Sequence, residues 1–148
     1  MTTITQEKQH NQLQTSSMVG ELIEERQQVW SMYCKVADHK NFADDKELPK
    51  LINEFCQILI DYISLGHFGV YQHIADDVEQ RSDVIKIAES VYHKIVDTTE
   101  AALVFNDKYV QNCIEVSMAN LKRDLSILGE KLALRIDAED KICDMILH

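Results

Sequence analysis

Apolar residues recur at intervals of three and four along most of the chain, the spacing of one face of an α-helix. Alternating apolar and polar positions, which are typical of strands, are not a feature of the sequence. Four glycines and one proline in 148 residues leave few interruptions. The pattern therefore predicts an all-α fold, an antiparallel helical bundle with a four-helix-bundle-like core and an additional short helix.

Residues 1–17 show no apolar periodicity and are predicted to form a flexible polar N-terminal arm. Ser16 or Ser17 can cap the first long helix, so that 18–148 form a single helical bundle domain. The apolar face of this helix is predicted to contain Val19, Leu22, Ile23, Trp30, Tyr33 and Ala37.

The second helix is predicted from Pro49, which suits a first helical turn, to about Leu65. One narrow polar strip is predicted to face solvent, and it comprises Lys50, Asn53, Glu54, Gln57, Asp61 and Ser64. A wide apolar face lies opposite, with Leu48, Ile52, Phe55, Leu59 and Ile63. So wide a face implies burial against several neighbours. Gly66 suits a left-handed helix end, and a short helix is predicted after it.

Two longer helical patterns complete the chain. One is predicted from about Asp83 to Phe105. The other follows from about Val110, and a break in it is expected near Asp107 or Gly129.

Charged and polar residues interrupt three of the apolar faces. Arg26 lies between Ile23 and Trp30 on the first helix, and Glu139 lies in the middle of the last apolar face. His67 is on the apolar face of the short helix. Because an unpaired buried charge is expensive, one interpretation is an inner polar network of Arg26, His67 and Glu139. The alternative is frayed helix ends or long side chains that reach water.

The net charge of −10 argues against direct binding of nucleic acid as the function, because phosphates require basic surfaces. It favours a basic partner instead. The sequence shows no signal peptide and no apolar stretch long enough to cross a membrane. The four widely spaced cysteines are interpreted as reduced thiols, so we expect a cytoplasmic protein.

Motifs for catalysis or cofactor binding are not recognised. The sequence contains a single Glu-x-x-His, Glu7 to His10, where the ferritin-like pattern needs two, and it contains no HExxH, no phosphate-binding glycine loop and no nucleophile elbow. His93 with Asp97, and His73 with Asp76, have helical spacing but are predicted to be exposed. We therefore expect neither an enzyme nor a bound cofactor or metal.

The stretch FCQILIDYISLGHFGVYQHI resembles the Rsd/AlgQ family of bacterial anti-sigma proteins, the regulators of sigma D. The stretches LIEERQQVW and LGEKLALRIDAEDKI extend the resemblance over most of the chain after the arm. The resemblance implies a helical bundle that binds the C-terminal, −35-recognising region of the primary sigma factor. It also implies lower use of that factor by RNA polymerase, typically in stationary phase.

The resemblance assigns partner-binding or motif roles residue by residue. The central motif carries these roles onto Asp61, Tyr62, Ser64, Gly66, His67, Phe68 and Tyr71. The terminal stretches carry them onto Arg26, Glu139 and, as secondary candidates, Arg135 and Asp140. The chain departs from the family pattern at Gln72, where a Glu follows the Tyr in the family, and in its short ending at His148.

The residues around Gly66 are therefore interpreted as a polar corner that shapes a binding module, with Asp61 on the outside and His67 facing inward. Two other functions remain open from the sequence. One is a metal-binding helical bundle of the hemerythrin or ferritin type. The other is a helical adaptor for another cytoplasmic protein.

Overall fold

The computed structural model describes residues 2–38, 48–66, 82–110 and 118–147, and within them the chain forms four α-helices. Their bounds are Thr2–Ala37 (α1), Leu48–Leu65 (α2), Ser82–Val110 (α3) and Met118–Leu147 (α4). Each helix packs on the next along the chain, and α4 returns to α1, which it contacts less extensively. The predicted all-α bundle is thus confirmed. The short helix predicted after Gly66 lies outside the described residues.

Contacts between the helices show that neighbours run antiparallel. On α1 and α4, Arg26 meets Asp140 while Tyr33 meets Leu125. The ion pairs Asp97–Lys131 and Lys108–Asp124 join α3 to α4, and residue numbers rise along α3 as they fall along α4. This arrangement is the up-and-down order that short connections favour.

The first helix begins earlier than the sequence predicted. α1 starts at Thr2, so the expected start after Ser16 or Ser17 is wrong. Residues 2–17 contain no Gly or Pro and several Gln, Glu and Lys residues, whose helix propensity lets the helix extend. A polar arm formed by 1–17, separate from the packed domain, stays a prediction.

The buried face of α1 is rotated from the predicted one. Leu22, Val29 and Val36, spaced by seven, are all buried, whereas Ile23 is 37% exposed and Ala37 is exposed. The sequence interpretation followed the larger side chains and missed both valines. A seven-residue repeat keeps one stripe facing its neighbours along a helix in a bundle.

The prediction for α2 is confirmed at every position of its two faces. All six residues of the polar strip are exposed. The five apolar residues opposite are buried, together with Cys56 and Tyr62. Phe55 packs edge-on against Phe105 of α3, with ring centroids 5.8 Å apart, and 6.1 Å from Tyr33 of α1. α2 therefore joins its two neighbours through an aromatic core.

Two expectations about glycines are wrong. No described glycine has a positive φ, so Gly66 does not end α2 in a left-handed conformation; helical geometry continues through it. α4 runs unbroken through Gly129, one of the two alternative positions at which a helix break was expected. A Cβ at Gly129 would come within 2.8 Å of Cζ of Tyr33. The missing side chain therefore lets α1 approach α4 closely.

α3 extends to Val110, three residues past the expected break near Asp107. Within the described part of the chain, none of the helices is both long and apolar enough to span a membrane.

Candidate functional site

A layer of polar side chains crosses the apolar core and involves all four helices. We call it the buried polar layer, and its members are Arg26, Tyr62, Thr99, Arg135 and Glu139. Such groups need partners inside the protein, because an unpaired charge in an apolar core is costly.

Arg135 and Glu139 form the centre of the layer. They lie one turn apart on α4, and Nε of Arg135 donates to Oε2 of Glu139 at 3.2 Å. Both side chains are completely buried. The hydroxyl of Tyr62, from α2, donates to the other carboxylate oxygen. Glu139 therefore links α2 to α4 across the core.

Arg135 also links α4 to α3. Its Nη1 donates to the Ile95 carbonyl at 3.3 Å and to the Thr99 hydroxyl at 3.0 Å. Its guanidinium lies over the Tyr62 ring, 5.4 Å from the centroid, a distance suited to a cation–π interaction. One buried side chain thus contacts three helices.

Arg26 is at the edge of the layer. Its Nη1 donates to Oδ1 of Asp140 at 2.8 Å and lies 3.9 Å from Oε1 of Glu139. Its side chain is 15% exposed, and that of Asp140 is 53% exposed. Arg26 therefore hydrogen-bonds to Asp140, and its contact with Glu139, its partner in the predicted network, is a longer ion pair. The hydrogen bond to Glu139 comes from Arg135.

Burial shifts the ionisation of the layer. It raises the pKa of the Glu139 carboxyl, and the charge of Arg135 and the hydrogen bond from Tyr62 act in the opposite direction. Burial, followed by the nearby Glu139, raises the pKa of the Tyr62 hydroxyl. The same two causes raise the pKa of the Cys143 thiol to about 11. Tyr62 and Cys143 thus stay neutral at ordinary pH.

Exposed carboxylates occur on α1, α2 and α4, close in sequence to members of the layer. We call this region the acidic end, and its members are Glu21, Glu24, Asp61, Asp137, Asp140 and Asp144. Arg26 and the exposed Lys141 are the basic residues interspersed with them. The exposed charge of these stretches of α1, α2 and α4 is therefore predominantly negative.

A family model described as "Regulator of RNA polymerase sigma(70) subunit, Rsd/AlgQ" matches residues 1–147. The chain belongs to the Rsd/AlgQ family. A "Regulator of sigma D" from Yersinia enterocolitica is 29% identical over 135 residues, which cover 86% of this chain and 79% of the relative. One from Salmonella arizonae is 30% identical over 103 residues, which cover 66% and 60%. No solved structure matches significantly.

The central stretch of the Rsd/AlgQ resemblance supplies both surface and core residues. Asp61 is exposed and accepts a hydrogen bond from Nε2 of Gln57 at 3.1 Å. Ser64 is also exposed, whereas Tyr62 and Gly66 are buried. The structure thus separates a carboxylate available to a partner from a tyrosine that holds the core together. The remaining members of the motif, His67, Phe68 and Tyr71, lie outside the described residues.

Sequence reasoning named Arg135 as a secondary candidate and missed its central place. Ile136 is only half-buried, whereas Leu132, Arg135 and Ile142 are buried. Reading that face one residue earlier identifies Arg135 and Glu139 as a buried pair at positions i and i+4. Thr99 was not among the candidate residues, and its hydrogen bond with Arg135 was not foreseen.

Among the side chains that the structure describes, no group of three or more His, Cys, Asp or Glu residues is placed to hold a metal ion.

Proposed function

We propose that this member of the Rsd/AlgQ family binds the C-terminal, −35-recognising region of the primary sigma factor in the cytoplasm. It thereby lowers the use of that factor by RNA polymerase, in stationary phase, as a binding protein without catalysis. The family description gives regulation of the sigma(70) subunit. The observation that carries the finer proposal is the acidic end.

The chemistry of the two surfaces supports this pairing. A domain that reads the −35 element must carry basic residues, because phosphate contacts dominate its affinity for DNA. Exposed carboxylates can occupy that same basic surface and exclude DNA from it. The net charge of −10 adds long-range attraction, which raises the rate of encounter at low salt.

The buried polar layer has a positioning role in this proposal. Tyr62 is next to Asp61, and Glu139 is next to Asp140. The hydrogen bond from Tyr62 to Glu139 therefore fixes the two exposed carboxylates relative to each other. Pre-organised charges lose less conformational freedom on binding than mobile ones do.

The test compares charge reversal at the acidic end with charge reversal elsewhere. Asp61→Lys changes an exposed residue of α2, and Asp107→Lys makes the same change at an exposed residue of α3. Association with the isolated C-terminal region of the primary sigma factor is measured by stopped-flow fluorescence at several salt concentrations. At low salt, we expect Asp61→Lys to lower the association rate constant by about tenfold, which is typical of steering charges.

The control variant has the same net charge as Asp61→Lys and should associate nearly as fast as the unmodified protein. Equal losses for both variants would show that net charge alone acts, without a defined surface. No effect of Asp61→Lys would remove the acidic end from the proposed interface.

A further inference from the structure

Two ion pairs join α3 and α4 on the side facing away from α1 and α2. Nζ of Lys131 is 2.5 Å from Oδ2 of Asp97, and Nζ of Lys108 is 2.7 Å from Oδ2 of Asp124. In the first pair the carboxylate is on α3, and in the second it is on α4. The four charges therefore alternate in sign around the face.

Exposed apolar residues lie between these ion pairs. Val104 is seven residues after Asp97 and four before Lys108, so helical spacing places all three on one face of α3. Ile127 is likewise between Asp124 and Lys131 on α4. Val104 is 66% exposed and Ile127 is 46% exposed. Both side chains therefore expose apolar surface to water between the four charged residues.

We propose that this face, which we call the α3–α4 patch, binds a second copy of the chain. Its members are Asp97, Val104, Lys108, Asp124, Ile127 and Lys131. The proposal concerns a surface other than the acidic end and does not rest on the proposed function.

The alternating charges make the patch complementary to itself. In a face-to-face dimer, the two-fold axis lies in the plane of the interface. If the axis is parallel to the helices, Asp97 faces Lys131 of the second copy. If it is perpendicular to them, Asp97 faces Lys108 of the second copy. Either axis brings opposite charges together and stacks apolar residues on apolar residues.

The same pattern disfavours a partner of strong single charge. The patch holds two carboxylates and two lysines, so it has no net charge to attract a basic or an acidic surface. Like charges would meet wherever such a surface covered all four residues. A partner with the same alternation is required, and a second copy of the chain provides it.

The size of the patch indicates a weak dimer. Asp97 and Lys108 are separated by about 16 Å along α3, and two helices are about 20 Å wide. The resulting face of about 300 Å² is smaller than the ~800 Å² per partner of a standard stable interface. Leu134, which is 47% exposed and seven residues after Ile127, extends the apolar area along α4. We expect dissociation constants on the order of 100 μM.

Sedimentation equilibrium of the full chain tests the proposal, at concentrations from about 10 μM to 1 mM in low salt. Val104→Glu places a charge at the centre of the patch and should weaken dimerisation at least tenfold. Leu103→Glu is the matched control, since Leu103 is 47% exposed and points about 100° away around the same helix. It should dimerise like the unmodified chain. Circular dichroism confirms that both variants are folded.

Three results would overturn the proposal. The first is an unmodified chain that stays monomeric throughout the concentration range. The second is a Val104→Glu variant that dimerises normally. The third is equal weakening by Val104→Glu and Leu103→Glu, which would assign self-association to another surface or to net charge.

Discussion

Removing Arg135 should destabilise the protein more than removing Arg26, whose ion pair with Asp140 lies at the edge of the buried polar layer. Arg135→Met keeps most of the side-chain volume but leaves the Glu139 carboxylate buried without its nearest cation. Breaking a buried pair in this way costs about 3–5 kcal/mol. Because domains are stable by about 5–15 kcal/mol, the variant should lose a large part of its free energy of unfolding.

Arg26→Met is the matched control for this substitution. Its main partner, Asp140, is 53% exposed, so water can replace the lost contact. We expect a loss of about 1 kcal/mol, as for partly exposed pairs. Midpoints of urea unfolding measure both losses, provided that the dependence of the free energy of unfolding on urea concentration has the same slope in each variant.

Removing both buried charges should recover much of the stability. Arg135→Met with Glu139→Leu removes both fully buried charges of the layer but deprives the Tyr62 hydroxyl of its acceptor. That hydroxyl costs about 1–3 kcal/mol if it stays unsatisfied. Adding Tyr62→Phe should remove this cost, so the triple variant should be more stable than Arg135→Met alone. Small and additive changes in the free energy of unfolding would show that these residues of the buried polar layer do not stabilise one another.

The pH dependence of the free energy of unfolding gives an independent check on the effect of Arg135→Met. Burial already raises the pKa of Glu139 above its ordinary 4.5, and loss of the Arg135 charge should raise it further. A group whose pKa is raised on folding stabilises the protein fully below the unfolded pKa. That stabilisation is lost as the pH rises through the folded pKa. The variant should therefore lose stability, relative to Arg135→Met with Glu139→Leu, as the pH rises above about 4.5 and through the raised pKa of Glu139. A constant difference would contradict the reasoning.

Two further predictions concern packing and thiol chemistry. Gly129→Ala improves helix propensity but places a Cβ against Tyr33, so we expect a net loss of about 1–3 kcal/mol in thermal unfolding; an increase in stability would show that α1 can move away at little cost. The exposed Cys34 should react quickly with a disulfide reagent at pH 8, whereas the Cys143 thiol, with its pKa of about 11, should react only after unfolding. Mass mapping of the modified cysteines checks this, and rapid native labelling of Cys143 would contradict its burial.

α2 could be predicted from the sequence because its polar residues occupy one narrow strip. Every residue outside that strip must pack against a neighbour, so the pattern fixes both the helix type and its orientation. α1 was harder, since its polar first half gives no periodic signal, although the structure keeps it helical. Helix propensity without an apolar face is a weak indicator of where a helix starts.

The buried polar layer was partly predictable. The apolar pattern placed Glu139 on an apolar face, and an inner polar network was one of two interpretations of it. The network named Arg26, whereas the hydrogen bond to Glu139 on the same helix comes from Arg135. The choice between them depends on distances between helices, which the sequence pattern does not contain. Tyr62 was a motif candidate, and its hydrogen bond to Glu139 required knowledge of the opposite helix.

Calorimetric titration with the primary sigma factor tests the central claim most directly. The full chain is titrated into intact sigma factor and into sigma factor that lacks only its C-terminal region. We expect binding to the intact factor, weakened by added salt because exposed charges are screened. We expect no heat of binding with the shortened factor. Equal binding to both forms would contradict the proposed contact region, and no binding to either at low salt would contradict the proposed function.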